Sequence, residues 1–451
     1  MGKIFINTKT VIIIILLILI AVQFNIRRWN KSQIIDWDVK EYYGYLPAAL
    51  IYHDIHLNFF DTIPEIQKYG WYKTTENGGR YFKMSMGLSM MYLPSFLIVN
   101  TWQHNIKGKS DGYSIPYQKA LALNALLFLF LGLLFLNKIL RKYYSDLAVT
   151  LTLIFTVFGT NLLFYATNEP GMPHVYNFSL FAIFIWSSIK WHERSKIVYA
   201  LIIGLLLGFI TLIRPTNFII IIFLIFYQCY KISDLKDNIL KFLRLWYHWV
   251  PALILCFAIW IPQLLYWREV TGHYIHYSYD KEGFFFNDPQ IWKVLFSYRK
   301  GWFIYTPLAI ISILGLFFLK GKQTGFRWAI LIYLIIHVYI VSSWWCWWYG
   351  GCYGQRAMIE SFAFLAIPLT AFFDKITSKY SWKHISIWIL MLFILTTSVI
   401  QTLQYRYTII HWDSMTKEAY WKVFLKVKKP KDIKKYLEEP NYEKRMKGED
   451  E

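Results

Sequence analysis

About eleven apolar runs, most of them long enough to cross a bilayer, with short clusters of Lys and Arg scattered between them, leave this 451-residue chain few ways to fold. A spanning helix needs about 20 apolar residues, and within hydrocarbon every backbone polar group must be satisfied inside its own segment. The runs lie near residues 10 to 25, 119 to 137, 148 to 166, 173 to 190, 197 to 213, 215 to 230, 247 to 267, 304 to 320, 326 to 341, 356 to 373 and 385 to 403. With 56% apolar residues and only 17% charged ones, a set of soluble domains is excluded. The expected fold class is an all-α polytopic membrane protein.

Charge placement gives the topology. Although the chain carries a formal +20, its cations are scattered between apolar runs, which argues for membrane topology and against nucleic acid as a partner. Lys3 and Lys9 precede the first run and no A-x-A-like cleavage site follows it, so an uncleaved anchor with a cytoplasmic N-terminus is expected. Residues 84 to 103 are also apolar but contain Pro94. Were they to cross, Lys138/Arg141/Lys142, Lys190/Arg194/Lys196, Lys320/Lys322/Arg327 and Lys375/Lys379/Lys383 would all face outward, so this stretch is expected along the outer interface. Residues 197 to 230 form a stretch of roughly 34 residues, about 50 Å as one helix, too long for a single crossing. Arg214-Pro215 breaks it into a hairpin with Arg214 near the outer tip, where the guanidinium either meets an anion in a polar cavity or snorkels to the surface.

That threading gathers the polar loops outside: 26 to 118, 167 to 172, the Arg214 tip, 268 to 303, 342 to 355 and the tail 404 to 451. The first holds Asp36, Asp38, Glu41, Tyr42 and Tyr43, an acidic and aromatic cluster from which one carboxylate can serve as a general base; capping of a following helix by Asp38 is the other use of that residue. Lys83, Arg214, Arg299, Lys300 and Arg356 fall on the same side, as does Arg80, and together such cations suit a phosphate or diphosphate. Glu169 and His174 bracket a loop with two prolines and can orient a substrate or hold a divalent ion, though no second His stands at metal-ligand spacing. The run from Trp344 to Gly351 ends in glycines and leads through Gln355 to Arg356; Trp348 and Tyr349 offer faces to a sugar ring, or contribute to an interfacial belt. Cys346 and Cys352 flank this segment and can pair if it is extracytoplasmic. No nucleotide-binding motif occurs.

Several of these stretches resemble the GT-C superfamily of membrane glycosyltransferases, which includes protein O-mannosyltransferases and lipid A aminoarabinose transferases. The resemblance rests on Asp38 to Tyr43, Tyr45-Leu-Pro-Ala48, Lys83-Met-Ser-Met-Gly87, Leu212-Ile-Arg214-Pro-Thr-Asn217, and Trp348 to Gly351 followed by Gly354-Gln-Arg356. It covers residues 10 to 403 and implies a GT-C-like catalytic domain over 1 to 403, with a long first extracytoplasmic loop carrying interfacial helices. It implies a transferase moving a sugar from a polyprenyl-phosphate donor to a lipid, glycan or protein acceptor outside the cytoplasmic membrane, with no cofactor beyond a possible divalent metal. Asp38, with Glu41 and Asp36 as rivals, is then the expected base. The Lys/Glu-rich tail reads as a short appendage or disorder. A glycolipid transporter is the alternative; it would show internal repeats and mid-membrane charges, of which the sequence gives no convincing sign.

Overall fold

A computed structural model describes residues 7–108, 110–231, 233–378 and 382–449. Lys3 and Lys379 lie outside the described residues, as does the side chain of Lys383.

Helices fall on every expected run, and the chain is a multi-pass membrane protein. Among the described residues five helical stretches are long and apolar enough to cross a bilayer alone: Thr8–Lys31, Ile115–Leu140, Trp246–Thr271, Gly321–Ser343 and Ile385–Arg406. Asp146–Phe158, Ile197–Ile213, Pro215–Phe226 and Leu308–Phe318 are shorter apolar pieces. The run near 148 to 166 is divided, because the chain turns at Gly159 to Asn161 before a second helix, Leu162–Thr167.

The first helix, Thr8–Ile26, begins where the Asn7 side chain accepts from the Lys9 amide and stops where Arg27 turns left-handed. Ile12, Ile15, Leu19 and Gln23 make its buried stripe, at the spacing that keeps one helical face inward, and Gln23 donates to the carbonyls of Ala122 and Ala166 at 3.1 and 2.8 Å. Ile13, Ile14, Leu17 and Ile18 stay exposed, as a lipid-facing surface requires. Pro173–Arg194 runs through the centre. Its Asn177, Ser179, Ser187 and Ser188 are all buried against neighbours, which lowers its hydropathy without exposing polarity to lipid. Ile197–Ile213 packs on Trp246–Thr271 at Gly204 and Gly208, where any Cβ would collide with the carbonyls of Ala252 and Cys256. Small residues let two backbones approach this closely.

The outer segment after the first helix is built around Asp38–Leu50, the short helices Phe59–Thr62 and Pro64–Gln67, and a two-stranded antiparallel ribbon pairing Lys73–Thr74 with Arg80–Tyr81. The stretch expected at the interface is one continuous helix, Gly87–Lys107, which carries Pro94 within it and packs on Asp38–Leu50 and Ile115–Leu140. Ile197–Ile213 does end at Arg214, whose extended backbone precedes the 3-10 turn Pro215–Ile220.

Of the two readings of the tail, appendage or disorder, the structure has the first: it is folded. Lys417–Val423 and Tyr442–Met446 are helical, Met415 bridges Leu437, and Gln401 and Gln404 tie the last long helix to Tyr420, Val423 and Lys426. Arg445 is buried and donates to the Trp345 carbonyl at 3.4 Å, so a charge-rich end that resembles a solvated tail is held by specific hydrogen bonds.

Candidate functional site

Helix Asp38–Leu50 starts at Asp38 itself, after Trp37 in an unusual positive-φ conformation, and the Asp38 side chain does not cap it. Its carboxylate sits in the first turn, where the helix dipole favours an anion, and turns outward to the Arg356 guanidinium at 3.3 Å. Arg356 is aimed by the glycine loop before it. Gly350 and Gly354 both have positive φ, Gln355 is buried and donates to the Trp347 carbonyl at 2.9 Å, and the Tyr165 hydroxyl accepts from the Tyr353 amide at 3.1 Å.

These two residues line a cavity of about 380 Å³ walled by elements far apart in sequence. Tyr42 comes from the same helix as Asp38, Lys83 from the turn before Gly87–Lys107, His174 from the first turn of the central helix, Arg214 and Pro215 from the hairpin break, and Tyr349 from the glycine loop. Each cation is matched by a carboxylate: Arg356 with Asp38, Lys83 with Glu282, and Arg214 with Glu360 at 3.6 Å. Glu360 is fully buried beneath the floor and is also approached by His174 Nδ1 at 3.4 Å and by the Asn177 amide at 3.4 Å, while its second oxygen has no partner. The Arg214 guanidinium lies 5.3 Å from the Tyr349 ring centre, and Lys83 lies 4.8 Å from that of Tyr279. Both cations are thus oriented from two sides while remaining partly open to the cavity.

The structure brings together Asp38, Tyr42, Lys83, His174, Arg214, Tyr349 and Arg356. It puts other candidates elsewhere. Asp36 pairs with Lys40 at 3.3 Å and its carboxylate receives the Trp37 amide. Tyr43, one residue round the helix from Tyr42, is buried against Tyr92, Phe96 and Tyr113 and donates to the Gly112 carbonyl. Trp348 is buried with its indole toward the Tyr442 hydroxyl, so it presents no open face. Arg299 donates to the carbonyls of Asp413 and Glu438, and Lys300 to those of Cys352 and Trp412; both cations hold the tail rather than face the cavity. Burial pushes the Lys300 ammonium down from its ordinary range. Glu169 does not line the cavity; burial raises its carboxyl and the charges of Arg28 and Arg356 oppose that rise. His174 faces Glu360 rather than completing a pair with Glu169, and among the described residues no three His, Cys, Asp or Glu side chains gather. Cys346 and Cys352 are both free thiols, and Cys352 sits 3.3 Å from the carbonyls of Trp348 and Gly354.

Glu41 also lies outside the cavity. Burial pushes its carboxyl up to about 7, the backbone amide of Lys83 pulls it down, and the Asp38 charge pushes it up again. A carboxyl with a native value above its unfolded one binds more protons when folded, so the contribution of Glu41 to stability is fully present below about 4.5 and is lost as the pH rises through about 7. The expected result is that thermal stability of the wild-type chain falls over that window while Glu41→Gln flattens the slope, as read by melting temperature at half-unit pH steps. A slope of the same steepness in both proteins contradicts the assignment.

Several lining residues were not visible from sequence. Glu282 binds Lys83, receives the Trp345 indole at 3.1 Å and stands in a loop with Tyr277 and Tyr279, also lining residues; nothing periodic marks that loop. Trp344 and Trp345, rather than Trp348, face the cavity, and Tyr442 reaches it from the tail. Glu360 did leave a signal: a carboxylate in an apolar run, four residues beyond Arg356, is costly unless partnered.

No family model and no characterised protein matches the sequence. Solved structures do match in fold. The oligosaccharyltransferase of Archaeoglobus fulgidus in its apo form superposes with a TM-score of 0.52 over 98% of this chain and 62% of that one, at 13% identity. The same organism's AglB, an archaeal oligosaccharyltransferase solved with an inhibitory peptide and a dolichol-phosphate, gives 0.50 over 96% of this chain and 61% of that one, also at 13% identity. The chain therefore spans about three fifths of the length of the structures it matches. Its fold is the one these oligosaccharyltransferase structures share.

Proposed function

We propose that this chain is a membrane glycosyltransferase that takes a sugar from a polyprenyl-phosphate-linked donor and moves it to a lipid, glycan or protein acceptor on the extracytoplasmic face. The observation that carries the reading is the convergence of Asp38, Lys83, Arg214 and Arg356 around one cavity in a GT-C fold. The match in fold to an oligosaccharyltransferase solved in complex with a dolichol-phosphate supports a lipid-phosphate carrier as the leaving group. In this reading all eleven apolar runs cross, the N-terminus is cytoplasmic, the chain lies in the cytoplasmic membrane, and residues 1 to 403 form the catalytic unit, with 404 to 451 packed on its outer face.

Asp38 removes the proton from the acceptor hydroxyl, and attack at the anomeric carbon breaks the bond to the lipid phosphate in a single displacement that inverts configuration. Negative charge then grows on the departing phosphate. Arg356, Arg214 and Lys83 are the donors that meet it, each already oriented by its carboxylate partner, so little reorganisation is needed at the moment of transfer. The donor bond supplies the driving force, so no nucleoside triphosphate is needed. A transporter would use charges distributed across the bilayer, whereas the cavity's charged groups lie at one end of the helices that carry them.

Purified protein incubated with a panel of polyprenyl-phosphate sugars and candidate lipid, glycan and peptide acceptors is expected to yield a product heavier by one sugar residue, detected by mass spectrometry. Movement of intact glycolipid between leaflets of proteoliposomes, with no mass change in any acceptor, would instead favour transport.

A further inference from the structure

At the opposite end of the bundle from the cavity lies a second site of a different kind. Lys9, Asn137, Lys138, Arg141, Lys142, Trp186 and Lys190 line a polar cleft of about 420 Å³. The central helix Pro173–Arg194 carries His174 into the cavity and Lys190 into this cleft, sixteen residues apart, which at 1.5 Å per residue is about 24 Å. The two sites are therefore separated by most of a hydrocarbon thickness.

The cleft is overcharged. Its five cations meet two carboxylates: Glu193, shared by Lys142 and Lys190, and Asp146, held by Arg141 at 2.8 Å. Among the described residues Lys9 and Lys138 make no ion pair within 4.0 Å, and the Lys138 ammonium lies over the rings of Phe135 and Trp186 instead. Asn137 supplies a second, independent sign. It is 3% exposed, it lines the cleft, and its side-chain oxygen has no hydrogen-bond partner among the described residues. Such a group is costly to bury unless something fills the position. Above Lys9, the first helix exposes Ile13, Ile14 and Leu17. A polar head with acyl chains thus finds cations, an amide and an apolar wall in the order in which a lipid presents its own parts.

We infer that this cleft is a binding site for an anionic phospholipid carrying two phosphodiesters, a diphosphatidylglycerol. The three uncompensated charges exceed what a single phosphate neutralises, and clefts of basic residues between membrane helices suit such headgroups. Lys9 and Lys138 take one phosphate each, Trp186 packs at the interface, and Asn137 binds the linking glycerol hydroxyl through its unpartnered oxygen.

Native mass spectrometry of the full-length chain in detergent, titrated separately with diphosphatidylglycerol, phosphatidylglycerol and phosphatidylcholine, tests this. The wild-type chain is expected to bind diphosphatidylglycerol most tightly. Lys9→Gln/Lys138→Gln should weaken it by about 25-fold, at about fivefold per lysine, whereas Lys236→Gln/Arg244→Gln, which removes the same charge from helix Asp234–Arg244, should leave it unchanged. Equal affinity in the Lys9/Lys138 variant, equal loss in the control variant, or phosphatidylglycerol binding as tightly as the two-phosphate lipid would each overturn the assignment.

Discussion

Asp38→Asn is expected to lower the transfer rate by about 10³-fold while the protein still folds and still binds donor. A positioned general base contributes about 10²- to 10⁴-fold, and Asn cannot accept the acceptor's proton. The substitution is nearly isosteric. An amide oxygen at the position of Oδ2 still accepts from Arg356, and Asp38 is 34% exposed at its side chain, so no buried charge is stranded without water. Donor affinity should hold or improve, because in the wild-type chain the carboxylate competes with an incoming phosphate for the same guanidinium. A loss of donor binding with unchanged turnover at saturation would make Asp38 a binding group instead of a base.

Arg356→Gln carries the second largest expected effect, with the opposite signature. A hydrogen bond to a charged group contributes about 1.5 to 3 kcal/mol, so donor affinity should weaken by roughly 10- to 100-fold, with a further fall in rate because charge on the leaving phosphate is greatest in the transition state. Arg356→Lys should recover only part of this, since an ammonium cannot offer two parallel donors to one phosphate. Asp38 and Arg356 touch, so their effects should not add: the double variant is expected to turn over no more slowly than Asp38→Asn by the full factor that Arg356→Gln costs alone. Isothermal titration with a donor analogue, beside steady-state rates for Asp38→Asn, Arg356→Gln and the double variant, separates the two contributions. Additive losses would place the residues in independent sites.

What could be read from sequence divides along physical lines. Apolar runs, cation clusters and the Arg214-Pro215 break are local properties, and they led directly to the helices and to the placement of Arg214. The glycines around Arg356 were legible because positive φ at Gly350 and Gly354 is a backbone requirement written in residue type. Membership of the cavity was legible only where a charged side chain lay beside a break or a loop. Lys300 and Arg299 satisfied that rule and still misled, because the partners that claim them are carbonyls at Trp412, Asp413 and Glu438, more than a hundred residues later. The folded tail was hidden for the same reason: its order comes from Arg445 beneath Trp345 and from Tyr442 between Trp348 and Asp413, contacts with no local pattern. Trp348 and Trp345 differ by three positions in a uniform aromatic run, and only the packing of Tyr442 and Glu282 decides which of them is enclosed and which faces the cavity.

Single-turnover transfer by wild-type and Asp38→Asn protein, at saturating concentration of whichever polyprenyl-phosphate sugar proves to be the donor, is the most direct measurement of the central claim. A wild-type product of inverted anomeric configuration, with the variant slower by about 10³-fold and binding donor at least as tightly, is the predicted result. Retained configuration, or an Asp38→Asn rate within about twofold of wild type, would contradict it.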